Sequence, residues 1–307
     1  MALALLPASA RMGQMPIPAQ ALTVEARAVV LPQGAIGPLH YLGGWTLHAH
    51  HPDFGGWSGM MGTAKGLRLV SDAGALLDLP WPQKGQLRAR LQEVPKGCGH
   101  HWHKEEQDAE AVTTGPEGRW WISLEHRNEI CRITPQGTVQ STTPSLIRHW
   151  SPYLGGEAML RLRDGRFLIF AEADPAAQPD SAPLIVFSGD PLAAGTHAAA
   201  MRFAPPPGFR PVDAGQLPDG RILVLLRQFA LPIRWRSALA IVDPAQLRAG
   251  AMVRGQEIAR LAPPLITDNF EALAITQEKR RTIIWLASDD NFWPIQQTYL
   301  LKFALKD

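Results

Sequence analysis

The chain is short of the residues that mark several common protein classes. It has two cysteines, Cys98 and Cys131, far too few to staple 307 residues into a disulfide framework. They suit one bridge in an oxidising compartment or two free thiols in the cytosol, since spacing does not supply the geometry of a bridge. Charge is sparse and balanced, with 30 Lys and Arg against 28 Asp and Glu. No basic block or stripe stands out, so the electrostatic footprint of a nucleic-acid binder is missing. No segment reaches the roughly 18 unbroken apolar residues of a membrane helix. A helical period of 3.6 is not sustained for long anywhere. Phosphate-binding loops and dinucleotide fingerprints are absent. Gly56-Trp57-Ser58-Gly59 has neither the spacing nor the strand-to-helix turn of a serine nucleophile elbow, which argues against Ser58 as a nucleophile.

Turn residues and tryptophan are plentiful. Gly and Pro each number 27, and there are 10 Trp. That composition fits short strands joined by tight turns. The N-terminal MALALLPASARMG has a short apolar run followed by Ala8-Ser9-Ala10, similar to the end of a secretory signal. It lacks a basic start, and a disordered Ala-rich leader reads equally well. Residues 1–21 are therefore set apart as a signal remnant or disordered start, and residues 22–307 are expected to form a single domain.

The informative feature is a repeat. DAEAVTTGPEGRWWISLEH, ending at His126, shows the pattern: acid, apolar run, turn, apolar run, acid. It recurs in GEAMLRLRDGRFLIFAE, VDAGQLPDGRILVLLRQ and NFEALAITQEKRRTIIWLASDD, and in the more divergent WSGMMGTAKGLRLVSD. The leading positions are Ser58, Glu110, Glu157, Asp213 and Glu271, spaced by about 50 residues. A third apolar run follows each copy, and a fourth often precedes the next. Four strands per repeat predict an all-β propeller, with five blades as the first reading and six as the alternative. The last repeat lacks a fourth strand, and WTLHAH from residue 45 is placed to supply it. Residues 22–31 are the candidate for an incomplete sixth blade.

The repeat gathers the acids. A hairpin returns its second strand to where the first began, and the first strand of a blade lies nearest the axis. Glu110 with Glu125, Glu157 with Glu172, Glu271 with Asp289 or Asp290, Ser58 with Asp72, and Asp213 with Arg227 should therefore surround one mouth. Crowded carboxylates repel one another and raise their own pKa values. A hard cation relieves this, and Ca²⁺ accepts six to eight oxygens in flexible geometry. Arg227 is the one cation expected in the ring, able to neutralise its neighbours or hold a substrate anion.

Five fragments carry a resemblance. Asp108-Ala-Glu110-Ala-Val112, Ser123-Leu-Glu125, Gly156-Glu157-Ala158, Asn269-Phe-Glu271-Ala-Leu-Ala274 and Ser288-Asp-Asp-Asn-Phe292 resemble the phytase-like family, also called esterase-like activity of phytase. Gly56-Trp57-Ser58-Gly59-Met60 with Ser71-Asp72 is similar to its opening elements. The resemblance covers about residues 45 to 305. It implies a bacterial, often exported propeller with a phosphoesterase-like or esterase-like activity, metal-dependent, acting on a small molecule such as a phosphate ester. Periplasmic or secreted placement follows from it, with the cytoplasm as the alternative. The chain departs from the family pattern with Ala where Gly commonly follows the acid, and with Arg227 in place of an acid.

The expected metal ligands are Glu110, Glu125, Glu157, Glu172, Glu271 and Asp289. The expected catalytic groups are Glu110, Glu157, Glu271 and Arg227. Asp72, Asp213, His101, His103 and Trp57 are candidate substrate contacts. His100, His101 and His103 of CGHHWH with Asp108 form an alternative transition-metal set, or a solvated loop. Two other functions stay open. One is a non-catalytic propeller with a structural cation and a Trp-rich binding face. The other is a glycosidase using paired carboxylates.

Overall fold

A computed structural model of the chain describes residues 17–32, 34–99, 107–174, 178, 180–231 and 234–306. Residues 1–16 of the expected signal remnant or disordered start, and the histidines 100, 101 and 103, lie outside them. The protein is a β-propeller. Its strands group into four-stranded antiparallel units, called blades one to five here in chain order. Blade one contains Trp57–Gly62, Gly66–Ser71, Ala75–Pro80 and Gly85–Glu93. Blade two contains Ala109–Thr114, Trp120–Leu124, Glu129–Ile133 and Val139–Thr142. Blade three contains Gly156–Arg161, Phe167–Ala171, Ala182–Phe187 and Ala198–Ala204. Blade four contains Arg210–Gln216, Ile222–Ala230, Arg234–Val242 and Gln256–Leu261. Blade five contains Asn269–Glu278, Arg281–Asp289 and Thr298–Leu305. Its outer strand is the N-terminal Leu39–His48, antiparallel to Thr298–Leu305, so the run around residue 45 closes the ring as expected.

Residues 22–31 do not begin a further hairpin. Their strand, Gln20–Ala28, pairs with the outer strands of blade one and blade five at once, and joins them along the rim. Ile17, just before it, is buried in the same core cluster. The outer strand of blade two, Val139–Thr142, is largely exposed and polar, and so carries little of the apolar signal that marks the others.

The first strand of each blade contacts that of the next, and the first strand of blade five contacts that of blade one. Neighbouring sheets thus cover both faces of the second strands. That is why FLIF in blade three and ILVLL in blade four read as unbroken apolar runs and are buried throughout. Hairpin turns use the residues that the backbone demands. In Asp164-Gly165 and Asp219-Gly220 the aspartate accepts from the backbone N–H two residues on, while the glycine takes a positive φ of 96° and 94°.

Candidate functional site

The first strands share one irregularity. Each carries a β-bulge near its start, where one residue is skipped in the pairing with the second strand. The skipped residues are Ser58, Glu110, Glu157, Val212 and Glu271. A bulge bends the strand and re-aims its side chain, so these residues leave the alternation of the sheet.

The bulge corrects the reading of blade four. The equivalent of Glu110 is Val212, and Asp213 lies one step further, level with Ala111 and Ala158. Asp213 accepts from its own neighbour Ala214 N–H at 2.7 Å and from Leu273 N–H of blade five at 2.6 Å. It is buried, and burial drives its carboxyl well above the usual range. Its bonds tie blade four to blade five, away from a substrate-facing position.

Two further positions flank each bulge. The exit residues follow the second strand, end it or, in blade four, lie within it: Asp72, Glu125, Glu172, Arg227 and Asp289. Opposite them stand entry residues Gly56, Asp108, Gly155, Arg210 and Asn269. The pairs are made by backbone hydrogen bonds in blades one to three and by strand register in blades four and five. Gly56 is required where it stands, because a Cβ there would lie 2.2 Å from Asp72 Oδ1. Asp289, and not Asp290, is the exit residue of blade five. Asp290 instead accepts from Gly56 N–H at 3.1 Å and from Thr298 Oγ at 2.9 Å, fastening blade five to the loop before blade one.

The mouth is electrostatically divided. In blade two, one oxygen from each of Asp108, Glu110 and Glu125 falls within 4.8 Å of the others. Burial raises the Glu110 carboxyl to about 7, against a hydrogen bond from Asp108 that favours its charge. Burial, with the Glu110 charge second, raises Glu125 to about 8. Asp108 and Glu157 are both pushed well above the ordinary range, by burial first and then by neighbouring carboxylates. Glu157 also hydrogen-bonds Glu125, whose Oε1 accepts from Gly155 N–H at 2.8 Å. Glu110 and Glu125 are therefore protonated in part near neutral pH unless another positive charge replaces the protons.

Blades four and five carry the counter-charge. Arg227 donates through Nη2 to Glu172 Oε1 at 2.6 Å and through Nη1 to Asn269 Oδ1 at 3.1 Å, and the same Nη1 pairs with Glu271. Its side chain is 16% exposed. Asn269 also donates to Glu271 at 3.0 Å and to Asp289 at 3.2 Å. Burial, then the Asp72 charge, lifts Asp289 well above its usual value. Arg210 reaches Glu172 Oε2 from the other side at 3.2 Å.

Glu110, Glu125, Glu157, Glu172, Glu271, Asp289, Asp72 and Arg227 thus meet at one mouth. Trp57 does not. It is completely buried, its ring edge-on to Phe54 at 5.4 Å, because the strand side opposite the bulge faces the core. A ligand has no access to it. Sequence reasoning passed over Arg210 and Asn269 and gave Asp108 only to the histidine set. Each precedes a bulge residue by two, and Asp108 and Asn269 also head fragments that carry the family resemblance.

The described residues contain no helix long and apolar enough to cross a membrane. Cys98 and Cys131 form a disulfide that ties the loop before blade two to its third strand, which suits an oxidising compartment.

The sequence pattern of the phytase-like family, described as esterase-like activity of phytase, matches residues 52–292, and the chain belongs to that family. No curated protein matches it significantly. Among solved structures, a streptogramin B lyase is 10% identical with a TM-score of 0.43, over 93% of this chain and 88% of its own. The PQQ-bound aldose sugar dehydrogenase of Streptomyces coelicolor is 10% identical with a TM-score of 0.44, over 94% and 99%. A protein of unknown function from Dyadobacter fermentans is 11% identical with a TM-score of 0.45, over 99% and 100%.

Proposed function

We propose that the protein is a cation-assisted hydrolase of small esters, phosphate esters foremost, working at the acidic mouth. The observation that carries this is the cluster of Asp108, Glu110 and Glu125, whose oxygens are close enough for one ion to touch all three. Ca–O distances of about 2.3–2.6 Å allow ligand oxygens nearly 5 Å apart. The donors are hard carboxylate oxygens, suited to Ca²⁺ rather than to a soft metal. A second sign lies beside them. Asn128 Oδ1 is buried and accepts no hydrogen bond, and it faces the bare Cα of Gly155 next to the Glu125 side chain. That is one more oxygen in need of a partner at the edge of the cluster.

When bound, a hard divalent cation supplies polarisation of the ester oxygen and acidification of water. The residues then divide the work. Asp108, Glu110 and Glu125 would hold the ion and give up their shared protons to do so. Glu157, bonded to Glu125 but outside the triad, would take the proton of the attacking water on a carboxylate oxygen and return it to the leaving group. Glu271 suits that role less, because Arg227 and Asn269 already occupy its Oε1. Arg227 holds Glu172 and Glu271 in place.

The test is hydrolysis of generic phosphate and acyl esters, with Ca²⁺ and with chelator, read beside thermal unfolding. Turnover should need Ca²⁺. Glu110→Gln should lose both turnover and Ca²⁺ stabilisation. Glu157→Gln should keep the stabilisation and lose about 10²-fold or more in kcat. Stabilisation by Ca²⁺ without turnover of any ester would sink the enzyme reading and leave a binding propeller with a structural cation.

A further inference from the structure

Blade four interrupts the acidic mouth, and its two arginines are not equivalent. Arg227 is enclosed: both Nη atoms are engaged, by Glu172, Asn269 and Glu271. Arg210, directly across the strand pair from it, is 43% exposed in its side chain against 16% for Arg227. Its ion pair among the described residues is made by Nη1 with Glu172 Oε2, the carboxylate whose other oxygen holds Arg227. Glu172 therefore anchors Arg210 by Nη1, while the side chain as a whole stays 43% exposed. At the same entry position, blades one and three have only the hydrogen of Gly56 and Gly155, and blade two has Asp108.

We propose that Arg210 is the anion-binding residue of this site: it receives the oxyanion of the substrate, a phosphate or carboxylate group, opposite the carboxylate cluster of blade two. This rests on the reading of the mouth as a substrate site, and it gives that reading a polarity. A neutral ester has no partner at Arg210. An anionic one meets a guanidinium fork whose planar N–H pairs match two oxygens of a phosphate or carboxylate. Without a bound cation the surrounding carboxylates repel an anion, so the half-exposed arginine decides where it binds. The arginine that the repeat pattern first suggested for this task, Arg227, has no free face left for it.

Phenylphosphonate, which cannot be hydrolysed as an ester, is the probe, with benzoate beside it. Binding is measured by titration calorimetry on the full chain, with Ca²⁺ and with chelator. The wild type should bind phenylphosphonate, and Arg210→Ala should weaken it by about tenfold or more, with Arg210→Lys between the two. Arg260→Ala removes an arginine as exposed as Arg210 that lies over Phe209, and should change nothing. A wild type that binds neither anion overturns the proposal. So does an Arg210→Ala protein, folded by circular dichroism, that binds within twofold of wild type. If benzoate binds with the same dependence on Arg210, the subsite stands and takes carboxylates as well. Calorimetry needs no turnover, so failure of the hydrolase reading leaves this result legible.

Discussion

Blade two and blade four are built on the same bulged hairpin and do opposite things at the mouth. Blade two delivers Asp108, Glu110 and Glu125 to its entry, bulge and exit positions, and blade four delivers Arg210, Val212 and Arg227. The backbone geometry is shared, down to the skipped residue. The repeat therefore acts as a positioning device that is indifferent to charge, and side-chain identity alone sets the local field. The two blades also depend on each other. Five or more buried carboxyls with no counter-charge would hold protons at neutral pH, while Arg227 without Glu172 and Glu271 would be an uncompensated buried cation.

Removing the counter-charge should have the largest effect. Arg227→Met leaves Glu271 without its cation and Glu172 with Arg210 alone, and breaking such a buried pair costs about 3–5 kcal/mol. Urea unfolding at pH 8 should show this loss, and a smaller one at pH 5, where Glu110 and Glu125 hold their protons and the mouth carries less negative charge. An equal loss at both pH values would mean that Arg227 matters for packing and not for charge.

The acidic half makes a pH prediction. Glu110 and Glu125 titrate at about 7 and about 8 in the folded chain against an ordinary value of 4.5. Raised acids hold protons in the folded state that the unfolded state has released. Stability without a cation is then greatest below about pH 4.5 and falls as pH rises toward 8. Each proton so retained gives a slope of about 1.4 kcal/mol per pH unit. Unfolding in chelator across pH 5 to 8 should follow this fall, and Ca²⁺ should flatten it. A profile flat in chelator would break the contrast between the blades.

Asp213→Asn should have the smallest effect of the three, about 1–3 kcal/mol, because an amide serves the Ala214 and Leu273 N–H groups less well than a carboxyl. Ca²⁺ stabilisation and anion binding should be unchanged. A loss of either would return Asp213 to the mouth.

Much of this is legible in the sequence, and the misses have two causes. The hairpin repeat, the four-strand unit and the closing strand followed from apolar runs and turn residues, which are local. So did the convergence of Glu110, Glu125, Glu157, Glu172 and Glu271, since a hairpin joins its own ends. Asp213 was misplaced because a bulge is invisible to a period-two pattern, and a slip of one residue sends a side chain to the other face. Trp57, expected in a loop of that face, instead begins the first strand of blade one and is buried in the core. Asp108, Arg210 and Asn269 were overlooked because they lie before the apolar runs, and only the pairing across the hairpin brings them to the mouth.

Sequence alone determined the family, the propeller and the acid-rich character of one end of it, because the hydrophobic pattern and the turn chemistry act within about 20 residues. Tertiary structure decided which acids share protons, that Arg227 is enclosed while Arg210 is open, and that Asp213 fastens two blades. Those outcomes depend on distances between residues from different blades, and on burial, which exists only once the ring is closed.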